Sequence, residues 1–301
     1  MARLISLVED ASPALREVMA LLAPHTGRAV TVGLTGSPGV GKSTSTSELV
    51  REYRRRDVRV AVLAVDPSSP FSGGALLGDR VRMQDHATDP SVYIRSMASR
   101  GHLGGLSWAT PQALRVLDAA GFDVILIETV GVGQAEVEIA SMADSTVVLL
   151  APGMGDGIQA AKAGILEIAD VFVVNKADRD GADTTARELR YMQSLGEGAK
   201  RSGGWRPPIV KTVASRGEGL VAVVEALDAH AAWMQESGEL ARRRLARAAA
   251  EVEAITVASL RERLGSMDGS HALQAVAERV VAGQTDPYRG ADELVDAVMD
   301  S

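Results

Sequence analysis

Gly36-Ser37-Pro38-Gly39-Val40-Gly41-Lys42-Ser43 fits the pattern G-x-x-x-x-G-K-S/T at every fixed position. Ala29-Val30-Thr31-Val32-Gly33-Leu34 precedes it, a short apolar and partly β-branched run that reads as a buried strand. Lys42 to Arg56 follows it and reads as a helix, with Leu49, Val50 and Tyr53 spaced for one apolar face. Strand, glycine-rich turn and helix together make a phosphate cradle. Glycines let backbone N–H groups turn toward phosphate oxygens without a clashing Cβ. The helix aims its positive end at the same anion. Lys42 supplies a full charge for the β- and γ-phosphates, and the Ser43 hydroxyl can ligate Mg²⁺.

Working outward, the next apolar run is Val58 to Asp66, nearly continuous, as expected of a parallel strand covered on both faces. It ends in an acid at its carboxyl end, where open α/β sheets place their ligands. Pro67 to Gly74 is rich in Pro, Ser and Gly and reads as a loop. Ser91 to Met97 reads as a short strand and Pro111 to Ala120 as a helix. Further strands are expected at Asp123–Thr129, Thr146–Ala151, Val171–Asn175 and Pro208–Val213, with a helix from about Ile158 to Ala169. Strands alternating with helices predict an α/β fold, a mostly parallel sheet with helices on both faces. Residues 1–27 read as a helical extension in which Ser12-Pro13 caps a second helix. Residues 28–225 are expected to form the nucleotide domain. Residues 226–301 read as a helical arm used for self-association, and no strand is expected after residue 215.

Composition narrows the function. The chain has 301 residues, 46% hydrophobic and only 3% aromatic, so aliphatic side chains and Ala must fill the core. A formal charge of −7 argues against a general nucleic-acid surface, which needs a basic footprint. There is no cysteine, hence no disulfide and no thiolate metal site, and the expected setting is the cytoplasm. Residues 1–24 carry Glu9, Asp10, Arg16 and Glu17 and do not read as a signal peptide. No run of about 18 apolar residues predicts a membrane span.

Asn175-Lys176-Ala177-Asp178 matches N-K-x-D at a strand end. Asp178 can accept from N1–H and the exocyclic amine of guanine, a donor pair that adenine lacks, so GTP or GDP is the expected ligand. Asn175 can brace neighbouring loops, and the Lys176 stem can lie along the base. Val213, Ala214 and Ser215, at another strand end, can present backbone groups to the same base. Glu128-Thr129-Val130-Gly131 occupies the D-x-x-G position with Glu in place of Asp. Its carboxylate can bind Mg²⁺ through water, and the Gly131 N–H can meet the γ-phosphate and release it after hydrolysis. Gln134 stands three residues past Gly131, too far along for the water-positioning place directly after that glycine. No arginine finger is evident; Arg80, Arg82, Arg95 and Arg100 could serve, but unpaired arginines in loops are usually solvated.

With these motifs in place the chain resembles the methylmalonyl-CoA mutase-associated G-protein chaperones, the MeaB, MMAA and ArgK type within the signal-recognition/MinD class of P-loop GTPases. The matching text is Gly36–Thr44, Val65–Pro70, Ser72–Met83, Glu128–Glu136, Asn175–Asp178 and Asp286-Pro287-Tyr288. The resemblance implies a GTP hydrolase that docks on an adenosylcobalamin-dependent mutase, gates cofactor loading and protects the mutase. It implies a homodimer built through the C-terminal arm. It places Asp66, Asp79 and Glu128 with Ser43 around Mg²⁺ and the attacking water. It sets switch I near Pro67–Ser91, switch II near Gly131–Asp144 and switch III at Gly153–Lys162, with Lys162 as a mobile catalytic lysine. Relatives usually carry further helical residues before the equivalent of Leu4, so this chain begins late. Two other readings stand beside it. A nickel-delivery GTPase would need a soft or imidazole-rich site, against which stand zero Cys and five scattered His. A small-molecule kinase linked to amino-acid transport would use ATP, against which N-K-x-D speaks.

Overall fold

The computed structural model describes residues 1–10, 12–67, 84–86, 88–99, 109–129, 135–153, 165–196, 204–265 and 271–299. Seven strands form one sheet in the order β3-β2-β4-β1-β5-β6-β7. They are β1 (Val30–Thr35), β2 (Val60–Pro67), β3 (Val92–Ser99), β4 (Val124–Thr129), β5 (Ser145–Leu150), β6 (Val171–Val174) and β7 (Ile209–Lys211). Every ladder is parallel. β1 lies at the centre, between β4 and β5.

The alternation of side chains across the sheet explains both layers. Val32, Leu34, Val60, Val62, Leu126, Val147 and Val173 face one side and pack with Leu49, Val50 and Tyr53 of helix Lys42–Arg55 and with Val223, Val224 and Leu227 of helix Leu220–Ser237. Ala61, Leu63, Met97 and Ile125 face the other side, against Ile5 and Val8 of helix Ala2–Glu9 and Ala113 and Leu117 of helix Ala109–Ala119. Val148, Phe172 and Val174 bury Ala182, Ala186 and Leu189 of helix Ala182–Gly196 on that same side. Strands buried on both faces need the continuous apolar runs that the sequence supplies.

Differences from the sequence reading are local. The second helix is Leu15–Leu22 and its N-cap is Ala14, with no side-chain cap. Ser12 instead accepts from the Ala14 N–H at 3.4 Å, which closes the turn ahead of the helix. β7 is shorter than Pro208–Val213, because Thr212 and Val213 leave the ladder for the base-side turn described below. β3 runs to Ser99 as an edge strand beside β2.

Contacts divide the chain into two units, Met1–Arg244 and Leu245–Ser301. Helix Leu220–Ser237 lies in the first, and helix Glu239–Gly265 continues from the first into the second. Within the second unit, helices His271–Val281 and Pro287–Met299 meet closely at Gly290, where an added Cβ would stand 2.6 Å from Val276. Arg279 grips Glu293 across the pair at 2.8 and 3.1 Å.

Candidate nucleotide site

β1 ends at Thr35, and after six intervening residues the chain is helical from Lys42. Gly36, Gly39 and Gly41 have φ of 145°, 80° and 97°, left-handed values that favour glycine. Space excludes side chains at two of them. A Cβ on Gly36 would lie 2.3 Å from the Leu149 carbonyl oxygen, and one on Gly41 would lie 2.4 Å from Asn175 Nδ2. Between them Ser37-Pro38-Gly39 forms the turn, and Val40 is sunk into the core and anchors it. Lys42 is buried at the start of the helix and donates through Nζ to the Gly36 carbonyl at 2.6 Å and the Ser37 carbonyl at 3.3 Å. Its ammonium therefore sits at the mouth of the loop, where phosphate oxygens can replace those carbonyls.

β4 delivers the acid. Glu128 pairs in register with Leu34 of β1 and Ala64 of β2, one strand from the loop. The Ser43 hydroxyl donates to its Oε1 at 2.6 Å, and both residues are buried. A hydroxyl and a carboxylate in contact are a hard oxygen donor set that fits Mg²⁺, which takes few protein ligands and keeps several waters. A neutral Ser43 hydroxyl would offer a cation an oxygen lone pair, with the Glu128 carboxylate beside it. Asp66 is the penultimate residue of β2 and pairs in register with Ala98 of β3. The Asp66 side chain, Asp79, Gly131 and Lys162 lie outside the described residues, as do most of the three switch segments. Among the arginine-finger candidates, Arg95 is committed elsewhere, to Ser6 and Glu9 of the first helix.

The base side is assembled from three loops. Asn175, 3% exposed, donates through Nδ2 to the Val40 carbonyl at 2.8 Å. Its Oδ1 accepts from the Thr212 hydroxyl at 3.1 Å and the Ala214 N–H at 3.0 Å. One side chain thus joins the phosphate loop, the end of β6 and the end of β7. Lys176, with φ of 57°, reaches back to donate to the Gly39 carbonyl at 2.6 Å. The resulting cleft of about 200 Å³ is lined by Gly41, Thr44, Asn175, Lys176, Asp178, Arg179, Val213, Ala214 and Ser215. Every one of these except Arg179 is a residue singled out from sequence. Gly36, Ser37 and Pro38 stand on the phosphate side instead. Arg179 and Arg216 were missed. Arg216 ends the turn Ala214–Arg216 and places Nη2 3.5 Å from Asp178 Oδ2. Each directly follows a base-side motif, Arg179 after Asp178 and Arg216 after Ser215, and that is the sequence signal for them.

At the opposite, amino ends of the strands lies a second polar cluster. Arg243 holds Asp170 through two hydrogen bonds of 3.0 Å, and Arg244 holds Asp144 at 2.8 Å. Ser145 Oγ meets His230 Nδ1 at 2.8 Å, and His230 Nε2 lies 3.4 Å from Asp170. Ser, His and Asp in a row evoke a hydrolytic triad. However, Ser145, His230 and Asp170 are 1%, 0% and 3% exposed, and Asp170 is already engaged by Arg243 and the Thr146 N–H. A nucleophile without access does no chemistry, so the cluster fastens strand starts to helices Leu220–Ser237 and Glu239–Gly265.

The chain is similar to several known proteins. The family profile described as Methylmalonyl Co-A mutase-associated GTPase MeaB matches residues 1–268. A Pyrococcus abyssi protein named as a GTPase is 46% identical over 298 residues, 99% of this chain and 92% of its own. The mouse protein named methylmalonic aciduria type A homolog, mitochondrial, is 36% identical over 99% of this chain and 75% of its own. A solved structure described as an LAO/AO transport system kinase superposes with a TM-score of 0.70 at 27% identity, covering 99% of this chain and 92% of that one.

Proposed function

The chain belongs to the MeaB family of methylmalonyl-CoA mutase-associated GTPases, and on that premise we propose the finer assignment. It is a Mg²⁺-dependent GTP hydrolase that docks on an adenosylcobalamin-dependent mutase, gates loading of its cofactor and protects it from inactivation. The observation that carries the nucleotide half is the convergence of Asp178, Ala214 and Ser215 on the cleft that Gly41 and Thr44 also line. A base seated there is checked by a carboxylate while its phosphates enter the loop.

The reaction is in-line attack of water on the γ-phosphate. Loop N–H groups and Lys42 hold the β- and γ-oxygens and neutralise charge as it develops. Mg²⁺, when bound, adds positive charge against the same oxygens. Ser43 would hold the metal and Glu128 would orient its waters, with Asp66 and Asp79 as the further acids. Asp66 orients the attacking water. Gly131 senses the γ-phosphate, and Lys162 joins the catalytic network when the mutase is bound. Intrinsic turnover is slow and rises as the partner orders the switches.

Within the helical arm of residues 226–301, dimerisation belongs in this assignment to the part after Arg244, since helix Leu220–Ser237 packs into the first unit; the arm stands beside a helical extension at 1–27 and the GTPase domain at 28–225. Leu245 and Val252 are 72% and 64% exposed on one long helix, apolar surface of the kind that a second copy covers. Two measurements test the assignment. A pull-down with a non-hydrolysable GTP analogue should recover a cobalamin-dependent mutase. Steady-state GTPase rates should rise when methylmalonyl-CoA mutase is added, and equal rates would remove the partner claim.

A further inference from the structure

We propose that Arg216 is a positioning residue for base recognition: it holds the Asp178 carboxylate, from outside the cleft, in the orientation that accepts two hydrogen bonds from guanine. The inference rests on the guanine reading above and adds to it the group that fixes the reader.

Three observations carry it. First, Asp178 lines the cleft and Arg216 is not among the residues that line it, so the guanidinium meets the carboxylate without being part of the cleft wall. Second, the guanidinium meets the carboxylate at Oδ2, with Nη2 3.5 Å away. An ionised carboxylate offers about four lone-pair sites, so a cation on one of them leaves enough for N1–H and the exocyclic amine together. Third, the arginine comes from a turn that is itself fixed. Ala214 N–H is bound by Asn175, the Arg216 N–H donates to the Val213 carbonyl at 2.9 Å, and Val213 and Glu218 exchange hydrogen bonds at 3.1 and 3.3 Å. Gly217 allows the sharp exit with φ of 71°. The two base-side loops are therefore joined in the interior, by Asn175 to Thr212 and Ala214 and by the Ala177 N–H to the Thr212 carbonyl, and near the surface by Arg216 to Asp178.

The physical effect is preorganisation. A carboxylate already held in its binding rotamer loses less freedom when the base arrives. The pair is half in solvent, with 60% and 37% of the two side chains exposed, which limits the gain. Exposed pairs of this kind correspond to roughly two- to fivefold in an equilibrium constant. Charge reversal replaces attraction by repulsion and should cost roughly tenfold.

The test measures the dissociation constants of GDP, IDP and ADP, with Mg²⁺, for the full chain and for Arg216→Ala, Arg216→Glu and Arg216→Lys. IDP keeps N1–H but lacks the exocyclic amine, so the GDP-to-IDP ratio reads the alignment of Asp178. Arg216→Ala should weaken GDP about threefold, IDP less and ADP not at all, which narrows the ratio. Arg216→Glu should narrow it further, and Arg216→Lys should recover part of it. Unchanged ratios in both Arg216→Ala and Arg216→Glu would overturn the inference. So would equal losses for all three nucleotides, which mark a damaged fold. A parent protein that binds ADP as tightly as GDP overturns the guanine reading itself, whereas a guanine-selective parent with unchanged variants overturns only the role of Arg216.

Discussion

The side-chain amide of Asn175 donates to the carbonyl of Val40 at 2.8 Å, across 135 residues of chain. That bond closes the phosphate loop against the base side of the cleft. It makes one residue the mechanical joint between the part that holds phosphates and the part that reads the base.

Asn175→Ala removes that bond and two more, and leaves the Val40 carbonyl and the Ala214 N–H without this partner in a buried region. Leaving buried polar groups unsatisfied costs about 1–3 kcal/mol each. We expect the variant to lose roughly 2–4 kcal/mol of stability in urea denaturation and to bind GDP more weakly. An unchanged urea midpoint would mean that the three loops hold together without it.

Gly36→Ala is expected to abolish tight nucleotide binding. Its φ of 145° is disfavoured for alanine, and the new Cβ would meet a backbone oxygen at 2.3 Å, an atom that cannot swing aside. Fluorescent GDP titration reads the loss, with circular dichroism as the control for folding. Wild-type affinity in a folded Gly36→Ala protein would contradict this geometry of the loop.

Glu128→Gln keeps the shape and one acceptor for the Ser43 hydroxyl but removes the charge that orients the metal shell. Turnover should fall at least about tenfold, and the Mg²⁺ concentration needed for half-maximal rate should rise. The sheet packing is untouched, so the thermal midpoint should move little. A rate equal to wild type would remove Glu128 from the metal site.

Arg243 and Asp170 are the clasp at the far end of the sheet. Asp170 is 4% exposed in its side chain and Arg243 28%. Arg243→Ala strands a buried carboxylate, a change that costs about 3–5 kcal/mol in fully buried pairs. We expect about 3 kcal/mol here, read by chemical denaturation. Asp170→Asn should cost less, since the amide oxygen still accepts.

Acid stability should carry the mark of Glu239. Its hydrogen bonds to Arg242, then to Arg243, hold its carboxyl down at about 2, against an ordinary value of 4.5. A depressed folded value stabilises the native state above the unfolded value and loses that contribution as pH falls. The loss should occur between pH 4.5 and about 2. Glu239→Gln should flatten the dependence of the urea midpoint on pH in that window and leave it flat above. A curve that stays as steep as wild type would assign the acid sensitivity to other carboxylates.

Much of the site was legible because its chemistry demands fixed residue types at short spacing. Gly36, Gly41, Lys42 and Ser43 act within one turn, and Asn175 and Asp178 act within one loop, so local text carries them. The β-strands were legible for a related reason, since burial on both faces requires continuous apolar runs such as Val60–Val65. Helix Ala182–Gly196 was missed, although Ala182, Ala186 and Leu189 all fall on its buried face. Its apolar face is built mainly of alanine, and its surface is highly charged, so the periodic signal is thin.

By itself, then, the sequence determined the class of sheet and the text of the glycine-rich loop, and it supplied the proposed base reader, because backbone geometry and ligand chemistry leave few substitutes at those positions. Tertiary structure alone decided which distant groups meet. Ser43 touches Glu128 because β4 lies beside β1, Arg216 reaches Asp178 because two strand ends are neighbours, and Arg243 clasps Asp170 because a late helix crosses the starts of β5 and β6. Each of these is a pairing across dozens of residues, set by strand order and packing, and no local spacing encodes it.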